Sequence, residues 1–315
     1  MDVFLKTRLL VEEHLHGAFG VDFNKANVDD NVYVAKELLK CGIGGFFPTI
    51  VTDSIENTKR QIQVIKDASI QLTEDCAEIF GIHLEGIFIN PAKKGIHNQE
   101  HFLALTSDNY KKIEDDFIKI ITLAPELDEG LIDYLKTKDI KIQAGHCISG
   151  DLSQCDGVTH LFNAMQSISH REKSTALSAL INDEIYTEII ADGVHLSDDI
   201  IRLVLKSKPM NKVILISDAL PITNSDLKET IFADEKIYYD GVKATSIDGT
   251  IAGSTTLLDK IVKILGQKDL FNQQFIHNVY DYHNIKLDGE VIWDENYDIV
   301  SITKKSYTIK GKKYA

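Results

Sequence analysis

The sequence predicts an α/β protein, a closed (β/α)8 barrel carrying a small, reduced β appendage at its C-terminal end. Three observations point there. Short, nearly continuous apolar runs alternate with segments of helical period; each run ends in a polar residue; and the 315-residue length accommodates a barrel of about 250 residues plus a small addition.

The first run ends in His14 and His16, and seven more follow at Gly42–Phe47, Glu78–Glu85, Lys119–Leu123, Lys141–His146, Val158–Asn163, Ile185–Asp192 and Lys212–Asp218. Runs this short and this apolar suit parallel strands buried on both faces. Between them, Asn31–Leu39 sets Val32, Ala35 and Leu38 on one helical stripe. Ser197–Ser207 begins with an N-cap serine and two aspartates before Ile200, Ile201, Val204 and Leu205. After Ser254, the residues Leu257, Leu258, Ile261, Val262 and Leu265 form the face of a helix that packs outside the barrel. Eight runs alternating with helices favour closure over an open sheet. From Glu290 onward, Glu290–Trp293 and Ser306–Ile309, with Gly311 as punctuation, read as short antiparallel strands. The expected division is therefore a barrel over 1–285 and an appendage over 286–315, pairing with residues 1–10. No repeat, Gly/Ser linker or low-complexity tract signals another domain.

Composition removes several classes of function. With 43% hydrophobic and 26% charged residues and 5 prolines, the chain can bury a core and is not a disordered segment. Against 34 Lys and Arg stand 48 Asp and Glu, a net charge of −14, which repels nucleic acid and anionic membrane. The first ten residues carry Asp2 and Lys6 within their apolar stretch, and no later run approaches a membrane span. Cys41, Cys76, Cys147 and Cys155 are sparse and lack C-x-x-C spacing, which suits reduced thiols and a cytoplasmic location.

The residues at the strand ends are His14, His16, Glu85, His146, His160 and Asp218, and barrel enzymes keep their active sites at those ends. Imidazole and carboxylate together suit a divalent metal, and a protein shell left incomplete keeps a position for water. In H-x-H the period of a strand turns both imidazoles to one face. His83, in the same run as Glu85, reads as a hydrogen-bonded core residue, and Asp192 as a group that orients His195 or closes a loop. His101, His277 and His283 sit in polar segments without a motif.

The run from Gly81 through Ile82-His83-Leu84-Glu85-Gly86 to Asn90-Pro91-Ala92-Lys93-Lys94-Gly95-Ile96-His97-Asn98 is far more specific. With Gly145-His146, Thr159-His160-Leu161-Phe162-Asn163-Ala164-Met165, His170-Arg171-Glu172, Ile190-Ala191-Asp192-Gly193-Val194-His195, Ser217-Asp218-Ala219 and Gly249-Thr250-Ile251-Ala252-Gly253-Ser254 in order, it resembles the N-acetylglucosamine-6-phosphate deacetylase family of the amidohydrolase superfamily. The similarity runs from about residue 12 to 265. It implies a barrel of the amidohydrolase type that hydrolyses the acetamide of N-acetyl-D-glucosamine 6-phosphate, yielding D-glucosamine 6-phosphate and acetate.

Residue by residue, the resemblance implies that Glu85, His146 and His160 hold a divalent ion, Zn or Fe. His14 and His16 add a possible second position, so one or two ions per subunit are expected. Asp218 would act as general base and acid, and His97 would polarise the amide carbonyl. Asn163, Ala164 and His195 would hold the phosphorylated amino-sugar, and Arg171 would reach the phosphate from a neighbouring subunit, making a homodimer the expected unit. The sequence departs from the family in three places. Ile87 stands where proline usually follows Leu-Glu-Gly, Lys173-Ser174 stand where Pro-Gly follows His-Arg-Glu, and little chain precedes His14 where several sandwich strands are usual. The first two changes can shift loops, and the second bears on the placement of Arg171. Two other functions compete with the leading one: the same chemistry on another N-acetylhexosamine phosphate, such as the galactosamine epimer, and a paralogue that binds sugar phosphate without turnover. The intact set of Glu85, His97, His146, His160 and Asp218 argues against the paralogue.

Overall fold

The computed structural model describes residues 4–148 and 150–310. Its centre is a barrel of eight parallel strands: β1 (Leu10–Leu15), β2 (Ile43–Val51), β3 (Ile82–Glu85), β4 (Ile118–Leu123), β5 (Lys141–Ala144), β6 (Gly157–Val158), β7 (Tyr186–Ile189) and β8 (Val213–Leu215). Each pairs with the next in sequence from β1 to β8. Closure is completed beyond the regular ladder, where the Asp218 N–H donates to the His14 carbonyl at 2.9 Å and Leu15 bridges Ala219 in parallel. The eight apolar runs thus form the barrel, but several strands are shorter than those runs. His146, His160 and Asp218 have φ of +48°, +31° and +52°, a left-handed backbone that breaks strand pairing just before the polar tips. Conversely, the run at 42–47 extends to Val51, and the run at 78–85 divides into Glu78–Ile79 and β3.

Among the described residues, seven helices of five or more residues surround the strands. The first, α1 (Val28–Lys40), is wider than the stripe that foretold it because Asn27 and Asp30 form a capping box ahead of Val32. Next, α2 (Ile55–Ser69) is capped by Ser54 and buries Ile62 and Ile65, though its charged surface hides it from a search for apolar runs. Ser197 caps the helix Asp198–Ser207, and the post-Ser254 stripe becomes Leu258–Gln267. The link between β5 and β6 contains no helix among its described residues.

Among the described residues, two four-stranded antiparallel sheets flank the barrel. Leu5–Arg8 pairs with Gly289–Trp293, which pairs with Ile299–Lys304 and then Tyr307–Lys310. Residues 1–3 and 311–315, Gly311 among them, lie outside the described residues. This sheet adjoins the start of β1, opposite the strand ends that carry the histidines. Trp293 is fully buried and its Nε1–H donates to Thr7 Oγ1 at 3.0 Å, while the Tyr280 hydroxyl donates to the Leu9 carbonyl at 2.7 Å. The second sheet, Glu229–Phe232, Glu235–Tyr239, Ala244–Ser246 and Ile251–Gly253, follows β8. Nothing in the apolar runs foretells it, since its strands are half-exposed and rich in charge. No helix among the described residues is long and apolar enough to cross a membrane.

Candidate active site

At the C-terminal strand ends a cavity of about 560 Å³ opens. His16, Glu85, His97, His146, His160, Asn163, Ala164, His195 and Asp218 all line it, together with Lys93 and Lys94. His14 lies beneath, fully buried. The sequence-based site residues therefore converge, with one exception. Arg171 is exposed on the loop before the helix Thr175–Ile181 and does not line the cavity of its own chain. Ser174, a departure from the family pattern, is the N-cap of that helix, its Oγ accepting from the Leu177 N–H at 3.2 Å. Ser174 therefore anchors one end of the loop.

Glu85 is the hub. Its Oε1 lies 2.9 Å from His160 Nε2 and 3.3 Å from His146 Nε2, and the two imidazole nitrogens are 3.2 Å apart. Its Oε2 lies 3.0 Å from His16 Nε2 and 3.4 Å from His14 Nε2. Asp218 Oδ1 faces that second pair at 3.2 and 3.4 Å. One carboxylate thus spans two clusters, each with donor atoms about 3 Å apart, the separation expected around an ion with bonds of about 2.0–2.2 Å.

The groups behind these atoms support ligation. His146 Nδ1 lies 2.8 Å from the Lys93 carbonyl, an acceptor only, so Nδ1 carries the proton and the Nε2 lone pair faces Glu85 and His160. His14 Nδ1 donates likewise to Glu188 Oε2 at 3.1 Å, leaving His14 Nε2 buried without a hydrogen-bond partner. Glu188 Oε2 also accepts the His160 backbone N–H at 3.1 Å, bracing both clusters. Burial alone would discharge His14 and His16. The facing carboxylates reverse this, Glu85 and Glu188 holding His14 well above its ordinary range and Asp218 with Glu85 holding His16 at about 9. Glu85 is itself held well below the carboxylate range, because His14, His146 and His16 outweigh the cost of burial. This cluster favours positive charge at its centre, and a divalent cation fits it.

Around the hub stand the remaining groups. Burial and the neighbouring His146 keep His97 well below its usual range, hence neutral, with Nε2 3.8 Å from Glu85 Oε2. His195 Nδ1 lies 2.8 Å from Asp192 Oδ2, while Asp192 Oδ1 accepts the Val194 and His195 N–H groups. His83 is buried between the Glu13 carbonyl at 2.9 Å and Thr122 Oγ1 at 2.8 Å, as a core residue. His283, which carried no motif, pairs with Glu13 Oε2 at 2.7 Å inside the barrel. Sequence reasoning missed Phe232, whose ring sits 5.0 Å from that of His16, and Asp248 on the cavity wall. Phe232 ends a strand of the unforeseen sheet, and Asp248 lies in the turn between two of its strands. It also missed Thr52 and Glu188, which lie outside the motifs and are brought to the site only by the fold.

A parallel barrel with histidines and carboxylates gathered at its strand ends is the build of an amidohydrolase. No protein-family model matches the chain. N-acetylglucosamine-6-phosphate deacetylase of Bacillus subtilis (strain 168) is 31% identical over 261 residues, covering 78% of this chain and 65% of the relative, so the match spans a little under two thirds of that protein's length. N-acetylgalactosamine-6-phosphate deacetylase of Escherichia coli O157:H7 is 27% identical over 80% of this chain and 70% of its own length. In fold, the crystal structure of N-acetylglucosamine-6-phosphate deacetylase from Thermotoga maritima superposes with a TM-score of 0.89 at 24% identity, covering 97% of this chain and 89% of that one. Over most of its length the chain is thus similar to N-acetylglucosamine-6-phosphate deacetylases.

Proposed function

We propose that this chain is a metal-dependent deacetylase that hydrolyses N-acetyl-D-glucosamine 6-phosphate to D-glucosamine 6-phosphate and acetate. The observation that carries the reading is the Glu85 hub, whose two oxygens each face a pair of imidazole Nε2 atoms beside Asp218. Glu85, His146 and His160 would hold one ion, Zn or Fe, and His14 and His16, with the other Glu85 oxygen, a second. A bound divalent ion supplies Lewis acidity and lowers the pKa of water towards about 7.

The chain's own residues do the rest. Asp218 takes the proton of the attacking water and returns it to the departing amine, which must leave protonated because an amide anion is too poor a leaving group. His97 donates to the carbonyl oxygen as it becomes an oxyanion, a contribution of about 3 kcal/mol for one aimed donor. Asn163, Ala164 and His195 hold the sugar phosphate. In a chain of charge −14, a phosphate needs local cations, and Arg171 supplies one from the neighbouring subunit of a homodimer. The working unit is thus a cytoplasmic homodimer, each subunit a barrel over 1–285 with an appendage over 286–315.

Acetate release from a panel of N-acetylhexosamine 6-phosphates, using protein stripped of metal and reconstituted with Zn or Fe, tests the reading. Turnover of the glucosamine substrate that disappears with chelator is expected. Preference for N-acetylgalactosamine 6-phosphate, the second reading that the Escherichia coli relative favours, would reassign the substrate. Sugar-phosphate binding without acetate release would mark a non-catalytic paralogue.

A further inference from the structure

We infer that Thr52 and Ile87 are positioning residues that fix His97 in the tautomer with its proton on Nε2, so that His97 donates into the cavity instead of ligating an ion. Thr52 Oγ1 lies 2.7 Å from His97 Nδ1 and 2.9 Å from the Ile87 backbone N. A backbone N–H can only donate, so Ile87 fills one lone pair of the hydroxyl. Thr52, Ile87 and His97 are all buried, and among the described residues His97 Nδ1 is the acceptor within reach of the hydroxyl hydrogen. A buried O–H is rarely left without an acceptor. The hydroxyl therefore donates to Nδ1, and a neutral imidazole that accepts at Nδ1 carries its proton on Nε2.

This orientation settles between two chemistries that proximity alone leaves equal. Glu85, His97 and His146 each offer a ligand atom within 4.8 Å of the others, so His97 would pass for a third metal-binding group. A protonated Nε2 has no lone pair to give. It has a proton to donate, which an oxyanion takes up.

The local backbone is built for this contact. Ile87 has φ of +63°, an outlier for a β-branched residue, and its N–H meets Thr52 Oγ1 at 2.9 Å. Gly86, at φ +110°, admits the pair: a Cβ there would sit 1.9 Å from Thr52 Oγ1 and 2.8 Å from His97 Nδ1. Proline, usual in the family where Ile87 stands, has no N–H and a φ fixed near −65°. Neither this bond nor this backbone is open to it. The departure at Ile87 therefore gives this chain a hydrogen bond that holds the threonine hydroxyl, a strained conformation kept where the site uses it.

The inference rests on the proposed reading of His97 as the amide-facing donor, and one arm of its test is independent of that reading. Histidine-selective nitrogen-15 NMR of the zinc-loaded protein, with the His97 signals assigned by their loss in His97→Gln, is expected to show a protonated Nε2 and a bare Nδ1. A proton on Nδ1, or on both nitrogens, overturns the inference. In kinetics, Thr52→Ser should stay within about threefold of wild type, while Thr52→Val should lose about ten- to a hundredfold in kcat with KM nearly unchanged. Equal losses in both variants, or wild-type turnover in Thr52→Val, would overturn it as well. If the wild type releases acetate from no N-acetylhexosamine phosphate, the proposed function fails, and the NMR tautomer alone decides this inference.

Discussion

At Asp218 the carboxylate meets His16 Nε2 at 3.2 Å and His14 Nε2 at 3.4 Å, while its backbone N–H ties β1 to the end of β8. Asparagine keeps the shape and that main-chain bond but cannot cycle a proton. Asp218→Asn is therefore expected to fold and to bind metal at Glu85, His146 and His160, and to lose about two to four orders of magnitude in kcat. Metal content, substrate affinity and single-turnover acetate release measure the three quantities separately, and turnover within threefold of wild type with chemistry rate-limiting would exclude the role. The residues legible in the sequence, His14, His16, Glu85, His146, His160 and Asp218, share one feature. Each is a polar group at the end of an apolar run, which is costly in a core and ordinary at a barrel mouth. Thr52 and Glu188 carry no such mark. A threonine just past Val51 resembles any strand-end threonine, and only the packing of Gly86 against it brings it to His97, 45 positions away.

Elements were legible where periodicity and burial agree. The helix Leu258–Gln267 buries Leu258, Ile261, Val262 and Leu265, the stripe visible in the sequence. The sheet at 229–253 was not legible, because strands such as Glu229–Phe232 and Glu235–Tyr239 expose most positions and bury chiefly Phe232 and Ile237. The helix Leu258–Gln267 also carries a stability test. Asp259 lies in its first turn, where the helix dipole favours a carboxylate, yet burial raises its pKa from 3.8 to about 6, with Lys260 countering in part and Asp298 adding to the rise. Between these two values the folded chain holds a proton that the unfolded chain has released. The stabilisation is thus complete below about pH 3.8 and lost as pH rises through about 6, a change on the order of 2–3 kcal/mol. Asp259→Asn should flatten the dependence of unfolding free energy on pH across that window and be the more stable protein at pH 7. Urea unfolding of both proteins at several pH values measures it, and parallel curves would show that Asp259 ionises normally in the fold.

At the scale of the whole molecule, the cavity of one chain gathers imidazoles, carboxylates and Lys93 and Lys94, while Arg171 stays exposed on a loop outside it. That placement suits a side chain that works on another copy, with the loop held at one end by the Ser174 cap. In a two-fold homodimer each site would then take Asp218 from its own chain and Arg171 from the other, across an interface expected to bury about 1,600 Å². Arg171→Ala and Asp218→Asn should each be nearly inactive alone, the first through lost phosphate binding and raised KM, the second through kcat. A mixed dimer holds one site with both defects and one with neither. Equal amounts of the two variants, after subunit exchange, form mixed dimers in about half of the population, so activity should recover to about a quarter of the wild-type value. Exchange is checked separately by energy transfer between labelled subunits. Exchange without recovery would mean that Arg171 serves its own chain or no phosphate at all, and the composite site would have to be abandoned even if the protein is a dimer.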